Sequence, residues 1–518
     1  MKKIAYFLLS LVFITNYSYS QGEVEALKYS RNELYGTARS MAMGNAFGAL
    51  GGDITGVSIN PAGIAVYRSS EVVGTIGFQR NTTEVGNINK GVNDFNLHNL
   101  GFVGYFPLRN EVMPMINFGF TYGRQKTFNN DMGAKGDAKS TMIDYIADKS
   151  FGINPALLEM GDNKPDPFFD QPWLPALAFN SWLIDDYKDS DGNFRYRPLI
   201  NNEKPLQEIV LKERGYIDNY DFTIGTSLNN VLNIGFALTI SNVYRSLYTD
   251  FYEDYDKGNY VLSNIITSRA AGVGAKLGVI YRPVNSIRLG FVYHTPTWYS
   301  FTDEYNAILE DDVDAYVTDP KYKKGRVNSG KWINPHNLRT PGKWILSGAA
   351  VLGNKFILSA DYEVMNYRDM KLSAAQGYIE SPYMTASNKF INEDFKLAST
   401  VRVGAEYRFT QQFSGRLGYV WMQNPYDDGF RKRGNAAVAG ANTIYRMEGD
   451  THYLTGGLGY RFNRNVYADL AVVYQTQQDD LYPFPNLYTE TGELIIDASP
   501  FTLKNRSVRG LLTLGYRF

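Results

Sequence analysis

Residues 508–518 read VRGLLTLGYRF, and this stretch decides the architecture. Val508, Leu512, Leu514, Tyr516 and Phe518 fall on one face of an extended strand. Arg509, Thr513, Gly515 and Arg517 fall on the other, with Leu511 the one exception. Strict alternation over about ten residues is the period of a strand whose two faces meet different surroundings. One face suits lipid and the other suits a wet interior.

The pattern recurs along the chain. Copies lie near 71–80, 98–107, 113–123, 219–228, 231–246, 266–282, 286–297, 343–352, 355–368, 397–409, 412–424, 451–462 and 465–477. With the C-terminal strand the reading yields about fourteen to fifteen candidates, and the even parity of bacterial barrels favours fourteen. The connections alternate in length. Asn229-Asn230, Pro283 to Asn285, Gly353-Asn354, Thr410-Gln411 and Asn463 to Asn465 are tight turns. Between them lie long connections at about 81–97, 124–218, 247–265, 298–342, 369–396, 425–450 and 478–505. Short periplasmic turns alternating with long extracellular loops define a 14-stranded antiparallel transmembrane β-barrel. That places the chain in the outer membrane of a Gram-negative bacterium, with outer-membrane lipid around it and barrel-assembly machinery as the partner for insertion.

Composition agrees with an exported protein. The chain has 518 residues, a formal net charge of −1 and no cysteine. This balance does not point to nucleic acid, and thiol chemistry, disulfides and Cys-ligated metal are excluded. No later stretch offers the ~18 consecutive apolar residues of a membrane helix. At the N-terminus, Lys2 and Lys3 precede an apolar run from Ile4 to about Ile14 and a small-x-small site at Ser18 and Ser20. This reads as a signal peptide over 1–20. An N-terminal segment and plug then occupy 21–70, and the barrel occupies 71–518, its largest loop at 124–218.

Asp361, Glu363, Arg402, Glu406, Arg408, Arg416, Arg461, Asp469, Arg509 and Arg517 fall on the inward faces of their strands. Buried charge needs partners, and a plug rich in backbone N–H and C=O groups supplies them. The segment LYGTARSMAMGNAFGALGGDITGVSINPAGIAVY, just before the first strand, fits that role. Ala38 to Leu50 is expected to form a short helix ended by Gly51 and Gly52, and Asn60-Pro61-Ala62-Gly63 a turn. A lead-in that stays in the periplasm is the plain alternative. In the 124–218 connection, STMIDYIADK and PLQEIVLKER read as short helices. Phe168, Phe169, Trp173, Leu177, Phe179 and Trp182 put so much apolar surface on this loop that it must pack against something, the loop itself or a ligand.

GTARSMAMGNAFGALGGDITGVSINPAGIA resembles the N-terminal hatch of the FadL/TodX outer-membrane transporters of hydrophobic compounds. LRTPGKWILSGAA, FILSADYEV, VRVGAEYRF, GRLGYVW and GGLGYRF resemble their strands. The resemblance runs from about residue 36 to the end, interrupted in the long loops. It implies a fourteen-stranded barrel with an internal hatch. The implied function is passive uptake of hydrophobic small molecules such as long-chain fatty acids or aromatic hydrocarbons. It makes Asn60, Pro61, Ala62 and Gly63, with the acid Asp53, the hatch motif. In such transporters the ligand lands in an apolar groove between extracellular loops. It reaches a pocket beside the hatch and leaves through a hatch rearrangement or a lateral opening at a kinked third strand. Pro114, near the start of the third strand here, reads more naturally as a strand end. Met41, Met43, Phe47, Leu50, Phe168, Phe169, Trp173, Phe179 and Trp182 are the pocket candidates, chosen for apolarity. Asp361, Glu363, Arg402, Glu406, Arg408 and Arg416 are candidates for holding the hatch.

Other signals are weaker. DSDGN at 189–193 lacks the Glu of a calcium loop and reads as a surface turn. His98, His294, His336 and His452 show no metal-ligand spacing. No cofactor, metal site or catalytic residue is expected. Bacteroidota-like relatives are often labelled haemin receptors, but abundant tyrosine discriminates nothing. A non-transporting barrel subunit of a secretion or assembly machine is the other rival.

Overall fold

The computed structural model describes residues 17–18, 22–200, 203–313, 316, 325–353, 355–438, 440–489 and 491–518. Except for Tyr17 and Ser18, the leader read over 1–20 lies outside the described residues. The wall is a closed antiparallel barrel of fourteen strands. These are β1 (Glu71–Val85), β2 (Ile88–Pro107), β3 (Met115–Thr127), β4 (Leu206–Leu228), β5 (Leu232–Tyr255), β6 (Gly258–Val284) and β7 (Ile287–His294 continued by Trp298–Asp312). They continue as β8 (Trp332–Arg339 and Lys343–Leu352), β9 (Phe356–Asn366), β10 (Leu397–Arg408), β11 (Phe413–Met422), β12 (Thr451–Arg461), β13 (Val466–Tyr482) and β14 (Phe501–Arg517). β14 closes on β1 through Glu71↔Arg517 to Glu84↔Lys504.

β5 shows why the wall forms. Ile234, Phe236, Leu238 and Ile240 are exposed, and Asn233, Ala237, Thr239 and Ser241 are buried. Outward residues meet lipid, inward residues meet the filled lumen, and closure leaves no edge strand. Trp298, Trp344, Tyr362 and Tyr419 stand exposed as an aromatic belt. On β14 the exception to alternation, Leu511, is buried against Met41 and Ala42 of the plug.

The strands run further than their apolar alternation. β4, β5 and β6 have 23, 24 and 27 residues, where about 9–11 suffice to cross a membrane. The connections expected at 81–97 and 247–265 are therefore continuations of paired strands, turning at Gly86-Asn87 and Asp256-Lys257. Beyond the membrane both faces are wet or covered by protein, so pairing persists while the lipid signature fades. For the same reason PLQEIVLKER is the start of β4, not a helix; Gln207, Ile209, Leu211 and Glu213 share its buried face. STMIDYIADK does contain a helix, Met142–Lys149. DSDGN is the turn of a hairpin, with Asp189 accepting from the N–H groups of Asp191 and Asn193.

Most of the segment from Val24 to Tyr67 packs against the inward face of the wall. The N-terminal stretch forms α1 (Glu23–Ser30), α2 (Ala38–Ala42), α3 (Ile54–Ile59) and a 3-10 turn (Pro61–Val66). The helix expected over Ala38–Leu50 is only five residues long. Gly44 and Asn45, at φ 62° and 56°, end it before Gly51 is reached. Glycines on the inward face of the wall let this plug sit close. A Cβ at 235 would lie 2.2 Å from the Pro61 carbonyl carbon, one at 278 would lie 1.9 Å from Asn60 Oδ1, and one at 418 would lie 2.4 Å from the Gly44 nitrogen.

Gly235→Val is expected to unseat the Pro61 turn at a cost of about 1–3 kcal/mol, while leaving the β5 ladder paired. Limited proteolysis in detergent then cleaves the plug while the barrel stays resistant to unheated SDS. An unchanged cleavage pattern would show that the turn does not bear on β5.

Candidate functional site

The hatch residues cap one another. Asp53 accepts from the Thr55 N–H (2.9 Å) at the start of α3 and from the Thr37 hydroxyl (2.8 Å). Thr37 caps α2 through the Ser40 N–H (3.2 Å). Asn60 Oδ1 accepts from Ala62 N–H (3.0 Å), and its amide donates to the carbonyls of Gly48 (2.6 Å) and Val279 (3.2 Å). Pro61 opens the 3-10 turn, where no N–H is needed. Gly63 packs on Gly51, whose Cα lies 3.1 Å from where a Cβ at 63 would stand.

The wall holds this unit through side chains. Asp361 accepts from Gly48 N–H (3.0 Å), and Glu406 receives Arg39 of α2 (2.9 Å) and Arg416 (2.7 Å). Arg416 also pairs with Asp469 (2.6 Å), and Arg509 donates to the Leu34 carbonyl (2.8 Å). Glu363 pairs with Arg402 at 2.9 Å and with Lys343 at 3.3 Å, both residues of the wall. Arg408 reaches Glu406 at 3.7 Å from the mouth. Thr513, Thr455, Asn117 and His294 also bind hatch backbone, at Ala38, Ala42, Ile64 and Ile59. Sequence reading passed over them because a neutral inward residue looks like any lumen lining.

At the extracellular end an apolar cavity of about 230 Å³ opens between the tops of β6–β8, the loop helices and α1. The ring of Trp173 stacks on Tyr305 (4.8 Å, 6°) and meets Trp332 edge-on (6.0 Å). Phe169 lies 6.2 Å from Trp332, and Val24 of α1 completes the lining. Of the nine apolar candidates, Phe169 and Trp173 line this groove. Phe168 is buried beneath Trp173, and Phe179 and Trp182 pack on each other within the cap. Met41 packs on β11–β14, and Met43, Phe47 and Leu50 pack on β8 and β9. Tyr305, Trp332 and Val24 were invisible as a group, because the fold brings them together from distant segments.

α1 is tied down by ions. Glu25 pairs with Arg245 and Lys28, each at 2.6 Å, and Arg31 reaches Glu448. Burial opposes ionisation of Glu25, but Arg245 and Lys28 outweigh it and hold the carboxyl down at about 2. Burial, helped by the charge of Asp394, pushes Glu23 up to about 8, although Ala437 N–H donates to it.

Below the groove, Tyr29, Phe301, Leu338 and Met365 pack in one apolar cluster. Under them lies a chamber of about 190 Å³ with a mixed lining, in which His98, Arg124, Lys276 and Glu363 stand beside Leu34, Ile59 and Ile345. The chamber reaches a break in the wall. The β2–β3 ladder ends at Asn99↔Gly123, and the β3–β4 register shifts between Arg124 and Lys126. Arg124 spans the break, bonding Asn96 of β2 (2.6 Å) and Asp218 of β4 (2.8 Å). Pro114 lies outside β3 and closes the periplasmic turn, its carbonyl accepting from Leu108 N–H (2.8 Å). Among the described residues no group of His, Cys, Asp and Glu is placed to hold a metal ion.

A model of the family described as outer membrane protein transport protein (OMPP1/FadL/TodX) matches residues 252–499, just under half the chain. No curated protein matches. Among solved structures, a Pseudomonas aeruginosa FadL homologue is similar with a TM-score of 0.53 at 12% identity, over 94% of this chain and 99% of that one. A TodX monoaromatic hydrocarbon channel mutant gives 0.51 at 12% identity, over 94% and 100%. These likenesses establish a shared fold.

Removing the Glu406 carboxylate by Glu406→Ala is expected to cost about 3–5 kcal/mol, because Arg39 and Arg416 stay buried around the gap. Hydrogen exchange should show the α2 amides losing protection. Arg408→Gln, at the half-open mouth, should change stability by no more than about 0.5 kcal/mol.

Proposed function

We propose that this chain is a passive outer-membrane channel for hydrophobic small molecules, with long-chain fatty acids or aromatic hydrocarbons as the cargo class. The observation that carries this reading is the stacked-aromatic groove at the mouth of a barrel sealed by its own N-terminus, touching that N-terminus through Val24. The match to the OMPP1/FadL/TodX family model supports it.

A solute that buries about 150–200 Å² of apolar surface against Trp173, Tyr305 and Trp332 gains roughly 4–5 kcal/mol. That corresponds to an affinity near millimolar, strong enough to concentrate the solute and weak enough to release it. The gradient then suffices as driving force, and the chain contributes binding and passage rather than catalysis. From the groove the solute passes α1 into the chamber as the hatch shifts, and leaves laterally where β2 and β3 part at Arg124. Outer-membrane lipid receives it there. The same lipid surrounds the belt, and insertion falls to the barrel-assembly machinery.

Solvent extraction of the purified protein followed by mass spectrometry should recover apolar compounds in stoichiometric amount. Trp173→Glu should empty the protein and weaken binding of a fluorescent fatty acid by about tenfold or more. A barrel that purifies empty, and binds no apolar probe, would sink the reading.

The chain has no cysteine, so the exit can be tested cleanly. Asn96→Cys with Arg124→Cys, bridged by a short bismaleimide, should stop uptake into proteoliposomes while leaving groove binding intact. Uptake that continues through the bridged barrel would point to exit past the hatch.

A further inference from the structure

The periplasmic end of the lumen holds another cavity, of about 470 Å³, between the hatch turns at 50–53 and 66–68 and the inner faces of the wall. Seven arginines line it against three carboxylates. The carboxylates are already engaged. Glu406 binds Arg39 and Arg416, Asp469 binds Arg416, and Asp53 is taken by Thr37 and Thr55. Glu71, just outside the cavity, pairs with Arg517. Arg408 shares the doubly occupied Glu406 at 3.7 Å. Among the described residues Arg68, Arg288 and Arg461 form no ion pair with a carboxylate. Arg68 spends its donors on the Ala65 carbonyl (3.0 Å) and Asn230 (2.9 Å). Arg288 bonds the Leu50 carbonyl, and its buried Nε has no partner among the described residues.

In the chamber above, by contrast, Lys276 pairs with Asp221 (2.8 Å) and Arg402 with Glu363 (2.9 Å). Like charges gathered round one space repel, and several guanidinium forks facing a common volume match the oxygens of a phosphate or carboxylate. The volume is ample for a charged head group.

We propose that this vestibule is an anion-binding site for a multiply charged oxyanion of the phosphate type, carried either by a soluble anion or by the head of an amphiphile. The oxyanion bridges Arg288 and Arg461 across the mouth, with Arg68 and Arg408 at its rim. Binding draws an anionic head towards the periplasmic side of the hatch. The site stands on its own residues and does not depend on the extracellular groove.

Isothermal titration of the full chain in an uncharged detergent tests it, with pyrophosphate and dodecyl phosphate as probes. Saturable binding is expected at about 50 mM salt and should weaken strongly at about 500 mM, where screening is nearly complete within a few ångströms. Arg288→Gln with Arg461→Gln should reduce affinity by about tenfold or more. Arg339→Gln, on the extracellular side, should not. If the double variant fails to fold, Arg461→Lys keeps the charge, loses the fork and should give a smaller loss. Binding of pyrophosphate assigns the site to soluble oxyanions; binding of dodecyl phosphate alone assigns it to amphiphile heads, and either supports the proposal. No saturable binding of either probe, or binding indifferent to the vestibule variants, would overturn it and leave the arginines as a hydrated rim.

Discussion

The contact of hatch backbone with wall backbone governs the rest of the lumen. At Gly235, Gly278 and Gly418 the wall gives up side chains so that the Pro61 turn, Asn60 and Gly44 can lie against it. At that distance the hatch's own N–H and C=O groups are out of reach of bulk water, and each needs a partner. Gly48 N–H finds Asp361, Ile64 C=O finds Asn117, and Ala38 N–H finds Thr513. The inward polarity of the strands is thus a set of partners for a specific plug, not the lining of an open pore.

That dependence explains what could be read in advance. The outward half of every strand answers to lipid, a uniform solvent, and the resulting alternation is legible residue by residue, as on β5 and β14. The outer reaches of β4–β6 answer to water and to the cap, so Gln207 to Glu213 mix polar and apolar residues on one face and imitate a helix. In the hatch, the stop of α2 at Gly44 and Asn45 depends on a left-handed pair of residues wedged against β10 and β11, which helical periodicity does not register. In the loop, aromatic density flagged Phe169 and Trp173. Tyr305, Trp332 and Val24 join them only through pairing and docking of distant segments.

The buried ion pairs bear on register more than on stability. Glu406 with Arg39 and Arg416 is costly to desolvate and costlier to break, so it rewards one seating of α2 against β10 and β11 and penalises a shift in either direction. Glu363 with Arg402 and Lys343 instead braces the wall where β8 is interrupted between Arg339 and Lys343. Candidates chosen alike for inward charge therefore divide by partner, which only the fold decides.

Groove, chamber and hatch are mechanically one object because α1 belongs to all three. Its Val24 lines the groove, its Tyr29 packs on Phe301 (4.6 Å) above the chamber, and the chain leaving it runs past Glu33 and Leu34, held by Arg509, into α2. In the channel proposed above, a solute wedged beside Val24 pushes on a helix held both by the apolar packing of Leu27 and Tyr29 and by ion pairs, which are directional and can exchange partners with water. Release of Arg245 from Glu25 would free the upper turn while the Glu406 clamp on α2 still holds the lower hatch. On the proposed channel reading, that order of attachments favours opening from the top down. The chamber would then admit a solute while the Glu406 clamp keeps the periplasmic side sealed, so the barrel need never stand open from end to end.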